Sequence, residues 1–192
     1  MAIFHPFCRT HYAGLEKDAM PQEPWQFGAK YEFIAKKFIT IRYQLLPYLY
    51  TTFWQHSYYG TPMIKPISMF DQHDHETHHR MEEFILGDKL LVCPIASQGA
   101  DGRHMYFPKG KWYNFWDDTV VNGGHEYYVN APIDKIPLYV KEGSVIANFP
   151  KMQYVGERDI DELILHVYFS RTAHNTYLYE DAGEGYAYKN KQ

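Results

Sequence analysis

The pattern of apolar and polar positions changes near Pro62. From Gly28 the apolar residues Ile34, Phe38, Ile41, Leu45 and Leu49 recur every three or four positions, which places them on one face of an α-helix. Lys30, Lys36 and Lys37 fall on the opposite face. Pro47 lacks an N–H, and its ring meets the carbonyl four residues earlier, so the spacing predicts a break near Leu45 and Leu46. A second helical piece runs to about Ser57, stopped by Gly60 and Pro62. Beyond that point the chain consists of short apolar runs separated by Gly, Pro and Asp. They cover residues 63–69, 89–95, 104–107, 112–116, 126–129, 136–140, 145–148, 163–170 and 176–179. Several alternate apolar with polar residues, which predicts antiparallel sheets with one wet face, arranged as a β-sandwich. Residues 76–86 read as a single helical insert. The polar stretch 153–161 is the best boundary inside the β region.

Ahead of the helices stands residues 4–25, FHPFCRTHYAGLEKDAMPQEPW. Residues 7–11 read as a short strand, and Arg9 and His11, two apart, then share a face. Residues 12–23 form a loop punctuated by Gly14 and Pro21. An apolar run ending in Arg-x-His just before a loop is how a barrel strand presents polar groups at its mouth. On residue types alone, such a pair is more often structural than ligand-binding.

The segment PFCRTH, a polar loop and then QEPWQFG resembles the part of glycoside hydrolase family 31 that closes the (β/α)8 barrel. RYQLLPYLYTTF (42–53), GTPMIKP (60–66), LGDKLLVCPI (86–95), GKWYNFW (110–116), APIDKIPLYVKEGSVI (131–146) and YLYEDAGEGYAY (177–188) resemble further family segments, in family order. The resemblance implies an α+β fold: the last strand and helices of a barrel over residues 1–61, a proximal antiparallel β-sandwich over 62–152, and the start of a distal β-domain from 153 to 192. It implies a retaining α-glycosidase, in which one Asp attacks the anomeric carbon and a second protonates the leaving oxygen. Neither aspartate motif is present here. Asp71, Asp74, Asp117, Asp118 and Asp181 sit in turns or β loops and match neither pattern. By resemblance His11 contacts sugar hydroxyls where the bond breaks, since neutral imidazole offers one donor and one acceptor. Arg9 beside it is a fixed cation that keeps nearby carboxylates ionised, or a clamp between barrel strands. Arg-Thr-His followed by Glu-Pro-Trp resembles the α-glucosidases more than the α-xylosidases. The alternative is a carbohydrate-binding or interaction module that works alone, with its aromatics as a platform.

Composition narrows the rest. The 192 residues are 45% hydrophobic and 22% charged, ordinary for a globular chain. Aromatics reach 18%, with 18 Tyr, which suits β-structure, buried hydroxyl bonding and carbohydrate stacking alike. A formal charge of −4 gives no basic footprint for nucleic acid or an anionic membrane, and no apolar run has membrane-span length. Cys8 and Cys93 lie in apolar runs and read as free buried thiols. His75, His78 and His79 have spacings a helix would gather, but no Cys or second cluster completes a metal shell, and the resemblance implies a variable acidic surface linker here. The 180–185 loop is acidic and might suggest calcium, but the resemblance implies a structural turn; Ala182 departs from the family's Asp-Asp-Gly there. Lys65 stands where many relatives carry Arg. Trp25 is either an aromatic platform or a cap on the helix start. No cofactor is implied. The expected partner is an oligosaccharide. The helix face bearing Ile34, Phe38, Ile41 and Leu45 is expected to need a surface not fully present in this chain, or to pair with a second copy.

Overall fold

The structure, a computed structural model, describes residues 2–10 and 22–190. Two helices lead into antiparallel sheets. A 3-10 turn at Pro24–Phe27 opens α1 (Ala29–Gln44), and α2 (Leu46–Tyr59) follows. The break falls at Leu45, whose φ of −80° and ψ of 1° depart from helical values while its N–H still donates to the Ile41 carbonyl at 2.9 Å. Pro47 thereby sits in the first turn of α2, where its missing N–H had no intrahelical partner to lose. Gly60 ends α2 in the left-handed region (φ 72°), its N–H donating to the His56 carbonyl.

The strands are β1 (Ile64–Pro66), β2 (Phe84–Leu86), β3 (Leu90–Val92), β4 (Gly102–Phe107), β5 (Lys111–Asn114), β6 (Val120–Asn122), β7 (His125–Asn130), β8 (Leu138–Lys141), β9 (Val145–Asn148) and β10 (Ile164–Val167). A six-stranded sheet runs β1-β2-β3-β8-β5-β6, and β4 pairs with β7 and β9 with β10 as separate two-stranded ribbons. Every pairing is antiparallel. One face of the six-stranded sheet meets the helices through Leu86, Leu90, Val92, Leu138 and Val140 against Phe4, Leu45, Tyr48 and Leu49. The other face meets β4 through Ile85, Leu91, Trp112 and Tyr139 against Met105, Tyr106 and Phe107.

This layering corrects the expectation of one wet face. In β3 and β8 successive side chains enter opposite cores, and Leu90, Leu91, Val92, Leu138 and Val140 have no exposed surface. A strand covered on both sides reads as a continuous apolar run, which is how LLVC and PLYV read.

Further expectations change. The insert at 76–86 is not helical: Asp74 caps a 3-10 turn at His75–Thr77, and Phe84–Leu86 becomes β2, filling the ladder between β1 and β3. Glu83, buried just before it, accepts from the Tyr106 N–H and lies 3.9 Å from both Arg80 and Arg103. The run at 63–69 divides into β1 and a short helix, α3 (Ile67–Phe70). No strand forms at 176–179, and β6 arises where none was expected. The helix face expected to lack a surface has one. Phe38 packs edge-on to Trp116, Leu45 is fully buried, and Ile41 packs against the same core. Lys37, expected in solvent, crosses to the β-region, donating to the Asp134 carbonyl at 2.7 Å and lying 4.9 Å from the Trp116 ring centre. Exposed aromatics in this part of the chain include Tyr31 and Phe33 on α1, Phe53, Tyr58 and Tyr59 on α2, and Phe7, Trp25 and Phe27 before them.

Gly87 closes the β2–β3 hairpin in the left-handed region (φ 66°). A Cβ there would stand 2.3 Å from the Tyr48 hydroxyl, which donates to the Leu86 carbonyl at 2.6 Å. The helices and the sheet are locked together at this point. Burial pushes the Tyr48 phenol far above its ordinary value.

Candidate functional site

The segment carrying Arg9 is held by one anchor and one clamp. Ala2–Phe4 forms a 3-10 turn, and Phe4 is completely buried between α2 and the six-stranded sheet. Behind it the carbonyls of Ile3, His5 and Pro6 all accept from the guanidinium of Arg42 on α1, at 2.5, 2.7 and 2.9 Å. The rigid fork of Arg satisfies three carbonyls that no sheet ladder takes up. His5 tilts against Phe84 with ring centres 5.3 Å apart. Burial, aided by the Arg42 charge, holds its imidazole below the ordinary histidine value.

Residues 7–10 leave this clamp without regular structure, which corrects the expected strand at 7–11. A strand needs a neighbouring strand for its N–H and C=O groups, and the carbonyls just before this stretch go to Arg42 instead. Phe7 is 77% exposed. Arg9 is exposed and makes no ion pair among the described residues. His11 lies outside the described residues, as does most of the loop between it and Glu23. Trp25 is 61% exposed in its 3-10 turn, so it is not a packed cap on the helix.

A groove of about 960 Å³ runs from Pro6 and Phe7 along α2 to the 179–183 loop, with Tyr50, Phe53 and Tyr179 among its walls. Tyr179 stacks on Trp54, ring centres 5.1 Å apart and planes 8° from parallel, and its N–H donates to Thr51 Oγ1 at 3.0 Å. These bonds to α2 account for the missing strand at 176–179. Asp181 accepts from the Tyr50 and Tyr179 hydroxyls at 2.7 and 2.9 Å and from the Gly183 N–H at 2.8 Å. Those three donors, Tyr50 first, hold its carboxyl below the usual carboxylate range. The same bond pushes the Tyr50 phenol up to about 12. The acidic loop is therefore a turn pinned to α2.

Elsewhere His75 and His78 stand edge to face, 5.2 Å between ring centres, and His78 Nε2 lies 3.1 Å from the Gln72 carbonyl. Among the described residues no group of three or more His, Cys, Asp or Glu could hold a metal ion. Both cysteines are free, and burial pushes the Cys93 thiol up to about 12. Lys65 is about half-buried, and desolvation lowers its ammonium. No helix of the described residues is long and apolar enough to cross a membrane.

Two family models match the chain in order: the glycosyl hydrolases family 31 TIM-barrel domain over residues 1–52, and the family 31 C-terminal domain over 60–146. The chain belongs to glycoside hydrolase family 31. It is 36% identical to an alpha-glucosidase 2 of Bacillus thermoamyloliquefaciens over 98% of its length and 24% of the relative's. It is 30% identical to an alpha-xylosidase of Saccharolobus solfataricus over 98% of its length and 25% of that relative. Among solved structures, a Flavobacterium johnsoniae GH31 dextranase complexed with isomaltotriose superposes with a TM-score of 0.84 at 34% identity, covering 89% of this chain and 21% of that one. The chain thus spans about a quarter of the length of the family 31 relatives it matches.

The sequence reading assigned no role to Arg42, Tyr50 or Tyr179, and placed Asp181 only in an acidic turn. Arg42 lies in RYQLLPYLY, and an Arg on a helix beside a buried aromatic stripe was the available signal. Its three carbonyl partners, more than thirty residues away, left none.

Proposed function

We propose that this family 31 chain works as part of a retaining α-glycosidase that releases terminal α-linked glucose from oligosaccharides. Its share is a sugar-contacting segment and the β-layers that support it. His11 contacts the sugar hydroxyls at the subsite where the bond breaks, and Arg9 beside it keeps the neighbouring carboxylates ionised. The nucleophile and the general acid come from barrel residues outside this sequence, and the apolar groove beside Phe7 packs against that barrel. Residues 1–61 belong to the barrel, 62–152 to the proximal β-sandwich and 153–192 to the distal β-domain. One observation carries the reading: a barrel-domain match and a C-terminal-domain match in family order, joined at the end of α2. The relatives named as an alpha-glucosidase and an alpha-xylosidase bracket the substrate. The Arg-Thr-His and Glu-Pro-Trp motifs favour glucose.

Two measurements test this. In the whole protein, His11→Ala should lower kcat/KM for an α-glucoside on the order of 10²-fold, as expected when a hydroxyl contact strengthens in the transition state. Wild-type kinetics would make His11 structural. The 192-residue chain alone should release no 4-nitrophenol from the α-glucoside above background. Turnover that survives repurification and disappears on mutating an Asp of this chain would overturn the assignment of the carboxylates.

A further inference from the structure

A cleft of about 650 Å³ opens between the six-stranded sheet and the β4–β7 ribbon, within the roughly 300–1,000 Å³ of small-molecule sites. It exists because β6 and β7, joined by two residues, enter different sheets. The joint needs glycine: a Cβ at Gly123 would lie 1.9 Å from the Pro108 carbonyl oxygen, and Gly124 has a φ of 88°. From this crossing the two strands diverge, and the cleft fills the space between them.

Cross-strand register identifies the side chains that face inward. Tyr127 pairs with Met105, and Met105 is buried in the inter-sheet core, so the Tyr127 ring stands on the same side. Its hydroxyl donates to the Asn122 carbonyl at 3.1 Å, bridging ribbon to sheet and fixing the ring. Asn114 follows the inward Trp112 by two positions on β5. Its Oδ1 accepts from the Trp116 N–H at 2.9 Å, and its amide nitrogen makes no hydrogen bond among the described residues. Tyr139 is 4% exposed, lines the cleft and packs its ring edge-on to Phe107, yet its hydroxyl has no partner among the described residues. Its oxygen is open to the cleft, where a phenol can donate to and accept from a bound molecule. Asp117 uses Oδ1 for the Thr119 N–H and hydroxyl, leaving Oδ2 uncommitted. Lys135 is the lining cation, so cleft charges balance.

An aromatic wall, a planar amide donor, a carboxylate and a phenol, with no excess charge, match a neutral ligand that has an apolar ring face and hydroxyls that both donate and accept. We propose that this cleft binds a pyranose unit of an oligosaccharide, with Tyr127 as the stacking wall and Asn114, Asp117 and Tyr139 as the hydrogen-bonding groups. This goes beyond the hydrolytic reading and does not depend on it, because binding is measured on the chain itself and turnover on the whole protein.

The test is an NMR titration of the 192-residue chain with isomaltotriose, and separately with maltotriose, up to the solubility of each sugar. The Trp116 indole N–H, bonded to the Ile136 carbonyl at 2.7 Å on the cleft wall, is the reporter together with the Asn114 side-chain amide. Saturable shifts of both with either sugar are expected. Tyr127→Ala should weaken binding on the order of tenfold, one aromatic contact. Tyr139→Phe, which removes a single oxygen and keeps the packing, should weaken it less while leaving the unfolding midpoint in place. No saturable shift at these groups, saturable shifts confined to the groove at Tyr50 and Tyr179, or unchanged affinity in Tyr139→Phe would each overturn the proposal.

Discussion

Strands β3 and β8 and the segment at residues 2–10 all contain short apolar runs, yet they reach opposite ends of the molecule's order. β3 lies between β2 and β8, so its backbone groups are bonded on both edges and its side chains enter cores on both faces. Each fully buried Leu or Val there contributes roughly 1.5–3 kcal/mol relative to exposure. The 2–10 segment buries one residue completely, Phe4, and hands three carbonyls to a single guanidinium. An apolar run alone did not separate the two. A strand forms where a neighbouring strand lies within the described chain, and otherwise side chains from a helix do the holding.

The largest effect expected from that contrast is at Leu138. Leu138→Ala opens a cavity between the helices and the sheet and should cost about 2–5 kcal/mol in denaturant unfolding. Phe7→Ala, on a side chain already in solvent, should stay within about 0.5 kcal/mol. Comparable costs for the two would erase the distinction.

Arg42→Ala comes next. It strands the carbonyls of Ile3, His5 and Pro6 and should cost about 1.5–3 kcal/mol, towards the lower end because the Pro6 bond is exposed. Amide exchange should quicken over residues 2–10 and stay unchanged over Leu90–Val92. Arg42→Lys should recover little, since an ammonium cannot reproduce the fork. Equal quickening in both regions would mean that the segment and the sheet form one cooperative unit.

A smaller effect follows from His5. Its imidazole is lowered in the fold, so the unfolded chain takes up the proton first as pH falls. The stabilising contribution is complete above the ordinary histidine value of 6.5 and is lost as pH drops below it. Protection factors over residues 2–10, which remove the intrinsic pH dependence of amide exchange, should therefore fall as pH drops below 6.5, with those of β8 unaffected. A His5→Asn variant should remove the pH step. A step that survives in that variant would assign it to another group.

The smallest effect is at Asp181. Its carboxyl is lowered by the Tyr50, Gly183 and Tyr179 donors, so its contribution is present above the ordinary aspartate value and lost as pH falls through the lower folded value. Asp181→Asn should loosen the Tyr179 and Gly183 amides locally without moving the unfolding midpoint. A shifted midpoint would place this loop inside the cooperative core.

The elements most legible in the sequence were those whose signal is local. The 3.6-residue period of Ile34 to Leu49, Pro47 at the break and Gly60 at the cap were enough for both helices, and 145–148 for β9. What failed needed a partner to decide it. Residues 76–86 carry Glu, Arg and apolar residues that suit a helix, but β1 and β3 recruit 84–86 into the sheet. Lys37 looked like a solvent-facing charge until Asp134, almost a hundred residues later, supplied a carbonyl and a carboxylate. The candidate site was legible as motif alone. Arg9 and His11 stood out through their Pro-Phe-x-Arg-x-His context, whereas Arg42, which holds the neighbouring backbone, carries no motif that names its carbonyl partners.

The contrast between a closed β-region and a clamped segment is tested most directly by hydrogen exchange across the 192-residue chain under native conditions. Slow exchange is expected over Leu90–Val92 and Leu138–Lys141, fast exchange over residues 2–10, and intermediate rates over Ala29–Gln44 and Leu46–Tyr59. Uniformly slow exchange from residue 2 onward in a proven monomer would contradict the account, because the segment would then have found its full set of partners within this chain.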